Sequence, residues 1–191
     1  MRAAVCLALL LGVVWSLAFA QADPVLLDRL REGGYVLYLR HASTDMSRND
    51  AGMKSYEDCA SQRELTDKGR DEARAIGAHF RRLRIPVGEV LASPFCRTMD
   101  TARLAFGRAQ ATSEVRGGPV QASRYEALKR LLSTPVPKGE NRVISSHGNP
   151  FYALAGAPYL AEGEMAVVRP ADVPNFTVVG RIRIEDWSRF P

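Results

Sequence analysis

The chain predicts an α/β domain whose mostly parallel central sheet is covered by helices on both faces. Three observations carry that expectation. Short apolar runs bounded by turn residues, such as Tyr35-Val36-Leu37-Tyr38-Leu39, have the composition of buried strands. Segments of helical period lie between those runs, so strands and helices alternate. The 191 residues, 46% hydrophobic and 25% charged, suffice for one full core. That apolar content with a net charge of only +5 excludes disorder, and the absence of a short repeat excludes a solenoid.

The first twenty residues stand apart. Arg2 precedes an almost unbroken apolar run from Ala3 to Ala20 that ends in Ala18-Phe19-Ala20. A positive start, an apolar middle and small residues before a cut after Ala20 form the pattern of a secretory signal. An uncleaved membrane anchor is the alternative, but the run lacks a basic flank on its far side. The expected organisation is a signal peptide over residues 1–20 and a single catalytic domain over residues 21–191, exported to the periplasm or secreted. Nothing after Ala20 is long and apolar enough to span a bilayer once the signal is cleaved.

The elements follow in order. Asp23-Pro24, then Val25, Leu26, Leu27 and Leu30, then Gly33-Gly34 read as a short helix with its cap, first-turn proline and glycine stop. The run ending at Leu39 is a buried central strand. Ser43 to Arg63 is polar and reads as a long surface loop, of a length that is usually functional or disordered. Thr66 can cap a helix in which Ala73, Ile76, Phe80 and Leu83 recur at helical spacing, stopping before Pro86. Glu89 to Ser93 is a second strand, and Pro94 opens a helix that runs to Gly107. Residues 108–121 are ambiguous. Ser123 to Leu132 reads as a helix, Arg142 to Ser146 as a third buried strand, and Asn149 to Ala155 as a helix. Met165 to Val168 and Phe176 to Ile184 close the chain as strands.

Unusual polar sets sit where the three buried strands end: Arg40-His41-Ala42, Ser93-Pro94-Phe95-Cys96-Arg97-Thr98, and Ser146-His147-Gly148-Asn149. In open α/β sheets ligands bind at that edge, because the loops converge over the carboxyl ends of the strands. Two arginines and two histidines from distant parts of the sequence are thus expected in one pocket. Arginine presents a rigid fork of donors matched to phosphate oxygens, and a neutral imidazole presents a nucleophilic nitrogen. The combination suits phosphoryl transfer without a metal or other cofactor. His79, mid-helix among charged residues, reads as a solvated or helix-packing side chain. The histidines and cysteines show none of the close spacings of a zinc site. Removal of Cys6 with the signal leaves Cys59 and Cys96, an even pair that invites a disulfide in an oxidising compartment.

The same residues carry a family resemblance. Arg40-His41-Ala42, Leu65-Thr66-Asp67-Lys68-Gly69, Ser93 to Thr98 running into Thr101-Ala102, and Ser146 to Asn149 resemble, in that order, the motifs of the histidine phosphatase superfamily. The likeness spans Tyr35 to about Arg169 and is that of a small exported bacterial-type member. It implies the phosphoglycerate mutase-like fold, a three-layer α/β/α sandwich. It also implies that His41 is the nucleophile that becomes phosphohistidine and that Arg40, Arg97 and His147 hold the phosphoryl oxygens. A disulfide between Cys59 and Cys96 would tie the long loop to the pocket wall.

The general acid is where the chain departs from the pattern. No Trp-Glu-Gly segment of the mutase branch is present, and Gly148 stands where the acid phosphatase branch has Asp or Glu after the second histidine. Glu164 is the leading candidate, because it precedes a strand that the family fold runs antiparallel, and Glu126 is second. Some small members act on substrates whose leaving group needs little protonation. The expected activity is hydrolysis of a small phosphomonoester, with a phosphate-binding or sensing module on the same fold as the alternative. Export argues against nucleic acid as a partner, and the arginine-rich helix reads as a solvated face. Neither substrate identity nor oligomeric state is legible in the sequence.

Overall fold

The structure, a computed structural model, describes residues 24–191, so the expected signal segment and Cys6 lie outside the described residues. The chain runs α1 (Pro24–Glu32), β1 (Val36–Arg40), α2 (Asp67–Arg82), β2 (Val87–Ala92), α3 (Cys96–Phe106) and β3 (Gln110–Ala111). It continues through α4 (Glu126–Ser133), β4 (Asn141–Ser146), α5 (Gly148–Ala155), β5 (Met165–Pro170) and β6 (Phe176–Ile182). The caps are those the sequence supplies. The Thr66 hydroxyl accepts from Gly69 N at the start of α2, and Gly107 takes the left-handed conformation (φ 73°) that ends α3.

One six-stranded sheet has the order β3-β2-β4-β1-β5-β6. Alternation along β1 sends Leu37 and Leu39 to one face and Val36 and Tyr38 to the other. On the first face they pack with α1, α2, α3 and the carboxyl-terminal turn that carries Trp187 and Phe190. On the second they meet α4 and α5 through Leu128, Leu132 and Phe151. Each fully buried apolar side chain of this kind contributes about 2 kcal/mol, which holds the three expected layers together. Among the described residues no helix is long and apolar enough to cross a membrane.

The sheet is mixed rather than mostly parallel. Strands β3, β2, β4 and β1 pair in parallel, but β5 is antiparallel to both β1 and β6. The reversal has a local cause. After α5 the chain returns to the carboxyl end of the sheet, where Arg40 N donates to Glu164 O and Gly163 N donates to His41 O. Strand β5 therefore enters from that end. Within residues 108–121 the structure forms the short edge strand β3 and a single helical turn, Ser113–Val115.

Candidate active site

Register brings the predicted strand ends together. Arg40 on β1 lies opposite Ser146 on β4, and Ala92 on β2 lies opposite Ser145. The residues that follow each strand therefore converge on a cavity of about 340 Å³, lined by Arg40, His41, Asp50, Arg63, Arg97 and His147 among others. Its walls are close-fitted. A Cβ at Gly117 would come within 2.9 Å of the His147 ring, and one at Gly148 within 2.2 Å of the Tyr159 ring.

His41 is buried and held from three sides. Its N–H donates to Ser146 O, its carbonyl accepts from Gly163 N, and its Nδ1 lies 2.9 Å from the carbonyl of Ala42. A carbonyl only accepts, so Nδ1 carries the proton and Nε2 keeps its lone pair. Burial, reinforced by the guanidiniums of Arg97, Arg40 and Arg63, pulls the imidazole down to about 3 against the opposing Ala42 contact. His147 sits edge-on to it with ring centroids 5.5 Å apart and shares a 2.9 Å hydrogen bond with the Ser93 hydroxyl. Burial, with the nearby His41 and arginine charges, holds His147 well below the usual histidine range as well. Both rings are neutral at pH 7.

The two predicted arginines reach the same cavity with donors left over. Arg40 donates to Leu160 O at 2.7 Å and stands 3.4 Å from Glu162, its guanidinium over the Tyr159 ring. Arg97 lies over Phe95 and donates through both terminal nitrogens to the carboxylate of Asp50, at 2.9 and 3.0 Å. The Nε of each arginine is buried without a hydrogen-bond partner, an arrangement that costs free energy unless an anion supplies one.

The carboxylates are arranged differently from the expectation. Glu164 does lie at the pocket end of β5, but its Oε1 takes Arg181 Nε at 2.8 Å and its Oε2 takes Ala161 N at 2.7 Å. It is 4% exposed and does not line the cavity. The reason is the β5–β6 hairpin, which brings Arg181 alongside. Glu126 opens α4 as an exposed side chain. The acid that does face the cavity is Asp50, from the long polar loop, together with Arg63 at that loop's end. Behind them Glu162 accepts from both Thr44 N and Thr44 Oγ1.

That loop is anchored rather than free. Cys59 and Cys96 form a disulfide, with Cα atoms 5.6 Å apart. Buried Gln62 caps α3 by accepting from Cys96 N at 3.0 Å, while its amide donates to Tyr56 O and Asp58 O. Tyr56 meets Phe95 edge-on. His79, away from the cavity, stacks on Trp187. Neither Asp50 nor Gln62 falls in a recognisable sequence pattern. The bridge is the one signal that could have found them, because it folds the loop over the start of α3 and so over Arg97.

Residues 36–118 match the model of the histidine phosphatase superfamily, branch 1. Known structures share the fold. The protein histidine phosphatase SixA, complexed with tungstate, aligns with a TM-score of 0.56 at 19% identity, over 80% of this chain and 98% of that one. A phosphoserine phosphatase mutant from Entamoeba histolytica, bound to phosphoserine, aligns with a TM-score of 0.54 at 10% identity, over 77% and 95%. A mycobacterial glucosyl-3-phosphoglycerate phosphatase aligns with a TM-score of 0.55 at 16% identity, over 71% and 90%. No curated protein matches the sequence.

Proposed function

We propose that this protein is an exported histidine phosphatase that hydrolyses a small phosphomonoester through a phosphohistidine on His41. The observation that carries the reading is a neutral, immobilised imidazole with its Nε2 lone pair available, in one cavity with two guanidiniums whose Nε donors lack partners. The match of residues 36–118 to the superfamily model supports it, and so does the tungstate bound by SixA, a tetrahedral oxyanion of the shape this cavity suits.

In this reading Arg40, Arg97 and His147 hold the phosphoryl oxygens and offset charge that builds in the transition state. His41 Nε2 forms a bond to phosphorus as the ester P–O bond breaks. Water then attacks phosphorus, the N–P bond breaks, and inorganic phosphate leaves. Splitting the displacement in two lowers each barrier, and the Ala42 carbonyl steadies the Nδ1–H of the phosphorylated ring throughout. The disulfide suits an oxidising compartment and supports export.

Phosphate release from p-nitrophenyl phosphate, with excess chelator present, tests the reading. Turnover is expected to survive chelation and to fall by about 10⁴-fold or more in His41→Ala. A folded wild-type protein that releases no phosphate would instead indicate a phosphate-binding module.

A further inference from the structure

Asp50 supplies the one carboxyl among the described residues that line the cavity. We propose that it protonates the leaving oxygen and later takes the proton from the attacking water, so that the site takes phosphate esters of ordinary alcohols. This inference rests on the phosphatase reading above.

The geometry explains how one carboxyl serves both states. With the cavity empty, Asp50 spans the terminal nitrogens of Arg97 and accepts from Arg63 N at 2.9 Å. Burial raises its pKa, but the hydrogen bonds from Arg97 and Arg63 outweigh that and hold the carboxyl below its usual range. The other charged and titratable groups that line the cavity are Arg97 from α3, Arg63 from the loop end, Arg40 at the end of β1, His41 after it, His147 after β4, and Tyr159. A phosphoryl group in this cavity competes with Asp50 for the terminal nitrogens of Arg97, besides meeting the unpartnered Nε. When it takes them, Asp50 loses its cationic partner and stands beside an anion instead, and both changes favour its protonated form. A phosphomonoester has a second pKa of about 6, so the entering monoanion can supply that proton.

The cycle then balances. The His41 Nε2 pair forms the N–P bond, the ester P–O pair moves onto the leaving oxygen, and that oxygen takes the Asp50 proton to give the alcohol. In the second half water forms the new P–O bond, its proton passes to the Asp50 carboxylate, and the N–P pair returns to Nε2. Phosphate leaves and Asp50 is protonated as at the start.

General acid catalysis contributes about 10²–10⁴-fold, and most of that is needed only when the leaving oxygen is basic. Benzyl phosphate and p-nitrophenyl phosphate are similar in size but release a basic alkoxide and a stable phenolate. We expect Asp50→Asn to lower kcat/KM for benzyl phosphate by about 100-fold or more and kcat/KM for p-nitrophenyl phosphate by no more than about fivefold, because that ratio reports the first step alone, while kcat for both esters falls with the slower hydrolysis of the phosphohistidine. The retained nitrophenyl activity would itself show that the variant is folded. Equal losses of kcat/KM on both esters would overturn the proposal and make Asp50 a positioning residue for Arg97. Equal gains would overturn it too, leaving Asp50 as a mere competitor for the guanidinium. Either pattern, with turnover still dependent on His41, leaves the phosphatase reading standing. No turnover of either ester by wild type would remove that reading and this inference together.

Discussion

The two ends of the sheet treat buried polar groups in opposite ways. At the amino-terminal end, buried Asn141 uses everything it has: its amide donates to Leu30 O and Pro86 O, and its oxygen accepts from Tyr35 N. The groove near that end, about 540 Å³ and lined by Phe80, Ile85 and Phe106, is largely apolar. At the carboxyl end two guanidiniums keep an unmet Nε, and two histidines are held neutral by burial. Trp187 Nε1 is also unpartnered, but it is uncharged and lies inside the aromatic cluster. Satisfied polar groups close one end of the molecule, and unsatisfied ones mark the other as the place where a ligand completes the structure. The larger cavity is thus the less informative one.

Three measurements would sharpen or break that contrast. The largest effect belongs to the disulfide, which joins residues 37 apart and restrains the unfolded chain as well as the loop over the cavity. Replacing both Cys59 and Cys96 with Ser should lower the unfolding free energy in urea by about 4 kcal/mol. It should also raise KM, because Asp50 and Arg63 ride on that loop. At the opposite end Asn141→Ala should cost about 2 kcal/mol of stability by stranding the Leu30 carbonyl and the Tyr35 N–H, while Pro86 O keeps the backbone N–H of residue 141 and kcat stays unchanged. A fall in kcat there would break the separation of the two ends.

The third effect is graded rather than a single step: a slope with pH. Unfolded histidine takes its proton at 6.5, whereas folded His41 does so only near 3. The unfolded state therefore binds more protons between those values, and stability falls as the pH drops from about 6.5 towards 3, by at most about 1.4 kcal/mol per pH unit for this group. Urea midpoints between pH 7 and 4 should show that fall, and His41→Ala should flatten it by one proton's share.

Strand ends were the legible part of this molecule. Buried strands announce themselves as apolar runs, and a polar residue directly after such a run has few places to go, so Arg40, His41 and His147 could be placed in one pocket without coordinates. Arg97 followed from the polar set Ser93 to Thr98 at the end of the second strand. Residues whose position depends on pairing across long separations were not legible. Glu164 looked available because its partner Arg181 is on another strand, brought alongside only by the β5–β6 register. Asp50 is one aspartate in a polar loop with no period, and its address depends on Gln62 and on the disulfide. The antiparallel direction of β5 was legible only through the family resemblance, because the hydrogen bonds at residues 163 and 164 that fix it are encoded by no propensity.

Gly148 bears on how this chain can diverge. The ring of Tyr159 occupies the space that any side chain at position 148 would need. A carboxylate directly after the second histidine, the arrangement of the acid phosphatase branch, would evict that ring and strip the aromatic cover from Arg40. Gaining a side chain at position 148 therefore requires Tyr159, which is partly exposed, to swing aside, and Arg40 would then meet solvent where it now meets an aromatic face.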